Sequence, residues 1–215
     1  MKQGDNVVFS HAYGLAHRGV NIPNRLNTMF DTASITKGFT ATAILMLIEK
    51  GLLHFEDKIT NMAEGYVGQY DNNKDHIKWI KNIYSYPPIG SPDSGAYTTV
   101  LDLDIFIRSI KSNMVLNSEF TNMLFSPHCK FTRRFNCGEP SVNAIIRKGY
   151  AFEFVEINGN VFCMRKEGLN DGVGAMLSYY PEVDVTIIIM SNQTMSDGDC
   201  DVWEMHRKIQ TIIND

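Results

Sequence analysis

The residues best suited to chemistry are a serine and a lysine three positions apart, in the sequence Ser34-Ile35-Thr36-Lys37. Positions i and i+3 of a helix lie on the same face, so Lys37 can hold its amine beside the Ser34 hydroxyl. A serine is a weak nucleophile until a neighbouring base takes its proton, and a partly buried lysine can be that base. The same spacing also fits a structural alternative, in which the serine is only the N-cap of the helix and the lysine is exposed to solvent.

A helix must position this pair, and the following residues predict one. Apolar residues recur at three- and four-residue spacing over residues 34–50, and Gly51 suits the position just past a helix C-terminus. We expect Ile44 and Ile48 to lie on the buried face of this helix. Ser34 would then stand at the helix N-terminus, where backbone N–H groups point at a developing oxyanion.

The remaining patterns predict an α+β fold with an antiparallel sheet flanked by N- and C-terminal helices. Residues 61–96 are rich in Gly, Pro, Asn and Asp, which favours turns over a packed element. The predicted strands are 7–13, 149–155, 161–165, 175–180 and 183–191; further helices are predicted near 98–110, 118–125 and 201–213.

Composition excludes several classes of partner. The 215 residues carry 20 Lys+Arg and 24 Asp+Glu, a net charge of −4 without a basic block, which argues against nucleic acid. No apolar run approaches the roughly 20 residues of a membrane span. The first residues lack the apolar stretch of a signal peptide, so we expect a cytoplasmic protein, or an exported one if a leader was removed.

The four cysteines and six histidines do not follow metal-binding spacings, so we expect no metal and no cofactor. The cysteines are interpreted as isolated thiols, with a Cys129–Cys137 bridge as the alternative.

A longer stretch around Ser34 resembles the serine beta-lactamase-like family, which includes class C beta-lactamases, D,D-peptidases (penicillin-binding proteins) and related esterases. The family pattern is F-x-x-A-S-x-T-K-x-x-T-A followed by E-x-G-x-L-x-L-x-D-x-I, and nearly every fixed position is matched. Phe55 is the exception, since an aliphatic residue is usual there. The similar segments are 7–9, 14–16, 29–41, 48–53, 56–59, 94–103, 165–172, 175–186 and 191–192.

The resemblance also implies an oxyanion hole and a substrate-binding strand. Residues 165–172 stand where the family has K-T-G or H-x-G. Lys166 would help to hold a substrate carboxylate, and Gly168 would allow the backbone to approach substrate closely. The backbone N–H of Leu169 would pair with that of Ser34 as the oxyanion hole. Glu167 replaces a small residue and would bring a negative charge towards the oxyanion.

The second family motif, Y-x-N or S-x-N, has no counterpart at the expected place. Most of the helical lobe that carries it is missing between Ile59 and Met62. We therefore expect a single domain over residues 1–215 with a reduced helical or irregular lobe at 61–148. Tyr84 is the substitute we predict for the missing tyrosine.

The resemblance implies two functions. The first is a serine hydrolase of the beta-lactamase or D,D-peptidase type that forms an acyl-enzyme on an amide or small ester, with weak activity. The alternative is a catalytically impaired binding or regulatory protein on the same scaffold. The expected partner is a small-molecule or peptide substrate. By the same resemblance, we expect the family's first strand to be missing before Lys2, and the open sheet edge would then allow a homo-oligomer.

Overall fold

The computed structural model describes residues 1–57, 66–70, 76–81, 92–130, 144–170, 172–192 and 201–214. Its α-helices are α1 Thr36–Glu49, α2 Val100–Lys111, α3 Ser118–Leu124 and α4 Asp201–Asn214, and a 3₁₀ turn, Ala33–Ile35, precedes α1. Its strands are β1 Lys2–Gln3, β2 Asn6–Val7, β3 Leu15–His17, β4 Ile22–Pro23, β5 Phe30–Asp31, β6 Tyr66–Tyr70, β7 His76–Lys81, β8 Tyr97–Thr98, β9 Cys129–Lys130, β10 Ile145–Lys148, β11 Glu153–Ile157, β12 Asn160–Asn170, β13 Val173–Tyr180 and β14 Val185–Ser191.

One antiparallel sheet of eight strands forms the centre, in the order β2-β1-β14-β13-β12-β11-β10-β9. The β12–β13 register pairs Lys166 with Leu177 and Gly168 with Ala175. On its other side β12 pairs with β11 only as far as Arg165. Beyond Arg165, β13 is the only described strand that pairs with β12.

Helices cover both faces of the sheet. The larger core lies between one face and helices α1, α2 and α3, and includes Leu45, Ile107, Leu124, Phe152 and Leu177. Helix α4 packs on β13 and β14 from the other face, where the second core contains Val155, Tyr180 and Ile187. This arrangement confirms the predicted α+β fold.

Local sequence signals account for the helix starts. The Thr99 side chain accepts a hydrogen bond from the Asp102 N–H at 3.0 Å, and that of Asn117 accepts one from the Phe120 N–H at 3.0 Å. Both are N-caps, which satisfy backbone donors that the first helical turn leaves unpaired. The predicted helices near 98–110 and 118–125 are therefore found where these caps place them.

The predicted burial of Ile44 is wrong. Ile44 is 45% exposed, whereas Leu45 is buried and Ile48 packs against the larger core. Helix α1 carries apolar residues on nearly all sides, so its sequence does not single out one face.

The N-terminal strand prediction is also largely wrong. Of residues 7–13 only the first is in a strand, at the end of β2. Conversely, the hairpin of β6 and β7 lies within the segment predicted to hold only turns. Strand formation depends on a pairing partner as much as on local residue preference.

The outer edge of β14 is only partly paired. Strand β1 pairs with it at Val185 and Thr186, and no other described strand continues along that side. The homo-oligomer through an open sheet edge stays a prediction, as does the extent of the reduced lobe at 61–148. Among the described residues, no helix is both long and apolar enough to cross a membrane.

Candidate active site

The serine and the lysine meet at the start of the first helix. Ser34 lies in the 3₁₀ turn and Lys37 in the first turn of α1. Lys37 Nζ donates a hydrogen bond to the Ser34 hydroxyl, with 3.0 Å between Nζ and Oγ. This is the distance over which a lysine can exchange a proton with a serine.

The backbone just before Ser34 has an uncommon conformation. Ala33 is fully buried and has a φ of +42°, a value that non-glycine residues rarely adopt. The Asp31 carboxylate accepts a hydrogen bond from the Ala33 N–H at 2.7 Å, which holds this turn in place. Such a constraint fixes the position of Ser34, and constrained residues of this kind cluster at functional sites.

A segment from the middle of the chain, residues 92–96, lies along the start of α1. The buried Thr32 donates its N–H to the Ala96 carbonyl at 2.8 Å, and Thr36 accepts the Ala96 N–H at 3.1 Å. Thr40 donates to the Pro92 carbonyl. The 92–96 segment is therefore fastened to the helix on both sides of Lys37.

Lys37 also contacts this segment directly. Its Nζ lies 2.8 Å from the Asp93 carbonyl oxygen and 3.7 Å from the Asp93 carboxylate. The side chain of Lys37 is 42% exposed and that of Asp93 is 58% exposed. The amine thus lies between Ser34 and Asp93 in a site that is open to water.

The other wall of the site is β12. A Cβ atom built on Gly168 would lie 2.2 Å from the Thr32 carbonyl oxygen and 3.3 Å from the Ala33 Cβ. Only glycine allows this approach, since any side chain would collide with the backbone that leads to Ser34. The structure therefore brings Gly168 of β12 against the backbone that leads to Ser34.

Lys166 is partly buried and lies close enough to Lys37 for the two positive charges to repel each other. Burial lowers the pKa of Lys166, and the positive charges of Lys148 and Lys37 lower it further. A weakly solvated cation at this position suits the binding of an anionic group on a substrate.

Glu167 and Leu169 have side chains on the opposite side of β12. Successive strand residues alternate between faces, and Glu167 is paired with Met176 in the row that faces α4. Burial raises the pKa of Glu167, and the charge of Glu153 raises it further. Contact of Glu167 with substrate and the backbone role of Leu169 stay predictions.

The substitute tyrosine, Tyr84, lies outside the described residues, as does Cys137 of the alternative disulfide. Sequence reasoning missed Asp93 and the threonines that fasten the 92–96 segment. The only local signal is the turn-forming run Pro92-Asp93-Ser94-Gly95, which indicates a loop but not its neighbour.

A second group of polar side chains lies buried on the α4 face. His206 Nε2 is 2.7 Å from Ser178 Oγ and 3.1 Å from Tyr180 OH. Burial lowers the pKa of His206 to about 4, with help from the charge of Arg165, and burial raises the pKa of Cys163 to about 12. A neutral histidine and a protonated thiol without solvent access fit a structural role.

No group of three His, Cys, Asp or Glu side chains within the described ranges could hold a metal ion.

Comparisons with known proteins agree with the family resemblance. Residues 3–79 match the Beta-lactamase family model. A 64-residue stretch is 36% identical to penicillin-binding protein 4* of Bacillus subtilis, covering 30% of this chain and 14% of that relative. This chain thus matches only a small part of the relative's length.

Several solved structures have a similar fold over most of the length of this chain. A penicillin-binding protein from Bacillus halodurans is 18% identical with a TM-score of 0.66, covering 91% of this chain and 90% of its own. An octameric penicillin-binding protein homologue from Pyrococcus abyssi is 13% identical with a TM-score of 0.66, covering 89% and 68%. A D-amino acid amidase from Ochrobactrum anthropi is 11% identical with a TM-score of 0.62, covering 94% and 89%. The fold is therefore that of the beta-lactamase and penicillin-binding proteins.

Proposed function

We propose that this chain, whose residues 3–79 match the Beta-lactamase family model, is a serine hydrolase that acts through an acyl-enzyme on an amide or small ester. The observation that carries the proposal is the 3.0 Å contact between Lys37 Nζ and Ser34 Oγ at a helix start. A serine and lysine at this distance form a nucleophile and a base.

In the proposed acylation step, the neutral Lys37 amine accepts the proton of Ser34 Oγ as that oxygen attacks the substrate carbonyl carbon. The carbonyl π electrons move to oxygen and give a tetrahedral oxyanion. When the oxyanion collapses, the bond to the leaving group breaks and Lys37 returns the proton to it. An acyl ester on Ser34 remains. Water then attacks the acyl carbon while Lys37 takes a proton from the water, and Lys37 returns that proton to Ser34 Oγ as the acyl group leaves as a carboxylic acid.

Two features of the site support stabilisation of the oxyanion. Ser34 lies at the N-terminal end of α1, where backbone N–H groups without helical partners carry partial positive charge. The close approach of Gly168 to Thr32 brings the backbone of β12 next to that turn. The Leu169 N–H is the second donor that we propose, with Lys166 to bind a carboxylate of the substrate.

We expect the activity to be weak. Lys37 is 42% exposed, so water competes for its amine and for the reacting groups. Loss of one acid–base group costs about 10²–10⁴-fold in rate, and the family's second motif is not found in the sequence. Small activated esters should therefore be hydrolysed slowly and β-lactams hardly at all.

The test combines covalent labelling with turnover. A fluorescent fluorophosphonate should label the wild-type protein, and p-nitrophenyl acetate should be hydrolysed slowly; Ser34→Ala should abolish both. Ser112→Ala is the matched control, because Ser112 is exposed at the end of α2 and donates only to helix carbonyls. Labelling or ester hydrolysis that Ser34→Ala leaves unchanged would contradict the proposal and favour the binding protein.

A further inference from the structure

We propose that Asp93 is a positioning residue for Lys37, holding the amine so that its lone pair faces Ser34 and compensating the charge that Lys37 gains. The inference rests on the proposed function and adds a residue that the sequence motifs do not include. It is carried by the contacts of Lys37 Nζ with the Asp93 carbonyl oxygen at 2.8 Å and with the carboxylate at 3.7 Å.

The carbonyl contact fixes the direction of the amine. A backbone carbonyl can only accept hydrogen bonds, so one N–H of Lys37 stays directed at Asp93 in either protonation state. A neutral amine has one lone pair, and within the described part of the chain the other hydrogen-bond partner of Lys37 Nζ is the Ser34 hydroxyl at 3.0 Å. The geometry therefore leaves the lone pair for the proton of Ser34.

The carboxylate contact acts on charge. When Lys37 takes the serine proton it becomes an ammonium, and a negative group 3.7 Å away stabilises that state. Lys166 of β12 adds a positive charge close enough to act on Lys37. The Asp93 carboxylate supplies a negative charge 3.7 Å from the Lys37 amine.

The position of Asp93 is built into the fold. Thr40 holds the Pro92 carbonyl on one side, and Thr36 holds the Ala96 N–H on the other. These bonds are made by residues on either side of Asp93, not by the Asp93 side chain, and they hold the Asp93 backbone opposite Lys37. Asp93→Asn should consequently keep the backbone contact while it removes the negative charge.

The experiment compares pH–rate profiles of ester hydrolysis for the wild type, Asp93→Asn and Asp93→Glu. Without the carboxylate the ammonium loses a stabilising negative charge, so the activity of Asp93→Asn should begin to rise at a lower pH than that of the wild type. Its kcat at high pH should fall about two- to fivefold with KM unchanged, because the ammonium formed in the reaction is less stabilised. Asp93→Glu should shift the profile less than Asp93→Asn.

A second readout does not need turnover. Reductive methylation followed by mass spectrometry should modify Lys37 faster in Asp93→Asn than in the wild type, relative to the exposed Lys50 in each protein. Asp5→Asn is the matched control. Asp5 lies in the β1–β2 turn, and its carboxylate is 3.6 Å from Arg108 of α2. Its replacement should change neither readout.

Equal methylation of Lys37 in Asp93→Asn and wild type would overturn the inference. So would superimposable pH profiles, or a profile of Asp93→Glu shifted as far as that of Asp93→Asn. If no hydrolysis depends on Ser34, the proposed function fails, and the methylation rates still decide whether Asp93 holds Lys37.

Discussion

Replacing Gly168 with alanine should disable the site through the backbone alone. The new Cβ would lie 2.2 Å from the Thr32 carbonyl oxygen, whereas carbon–oxygen contacts in proteins are about 3.3 Å or longer. Thr32 or β12 must therefore move by about 1 Å. Thr32 cannot move freely, because it is buried, donates to Ala96 and accepts the Ile35 N–H at 3.0 Å.

A displacement of this size should lower the rate of hydrolysis without unfolding the protein. Misplacing catalytic groups by about 1 Å lowers rates by about 10²-fold. Overpacking a filled interior costs about 1–3 kcal/mol in the free energy of unfolding. We therefore expect Gly168→Ala to fold and to hydrolyse p-nitrophenyl acetate about a hundredfold more slowly than wild type.

Gly38→Ala is the matched control. Gly38 lies inside α1, next to Lys37, and a Cβ built there would meet the Phe152 ring at 3.7 Å, an ordinary van der Waals contact. Alanine in a helix interior is favoured over glycine by about 1 kcal/mol, so this variant should be slightly more stable and fully active. Initial rates and urea unfolding would be measured for both variants. A stable Gly168→Ala protein with wild-type rates would refute the argument.

Two further predictions concern stability. The pKa of His206 is lowered from 6.5 to about 4 in the folded protein, so between these pH values the unfolded chain binds a proton that the folded chain does not. The free energy of unfolding should therefore be highest above pH 6.5 and should fall by about 3 kcal/mol as the pH drops to 4. Urea unfolding at pH 7 and 4.5 should show a smaller pH difference for His206→Gln than for wild type, and an equal difference would disprove the assignment. Glu153→Gln removes the carboxylate that contacts Lys148 and the buried Arg165, and should lower the free energy of unfolding by about 3 kcal/mol. A loss below about 1 kcal/mol would show that this ion pair is not needed.

The sequence alone predicts the contact between Ser34 and Lys37 and the helix that joins them. Ser34 and Lys37 are three residues apart, and helical geometry brings such residues together whatever the rest of the chain does. The caps of α2 and α3 are equally local, since Thr99 and Asn117 each bond a backbone N–H three residues on.

Strand patterns gave less complete predictions. Alternation along β12 shows that Lys166 and Gly168 share one face and Glu167 the other. It does not show which face meets α1, because that depends on how the helices cover the sheet. Residues 7–13 have the residue types of a strand, yet only β2 forms there, where β1 offers a partner.

Only the tertiary structure brings Asp93 to Lys37 and Gly168 to Thr32. These pairs are far apart in the chain, so their contact depends on the path of everything between them. No periodicity links residues at such separations, because helix and strand repeats act over a few residues. The contact between Ser34 and Lys37 is therefore determined by the local sequence, while the residues that surround this contact are determined by the packing of the whole chain.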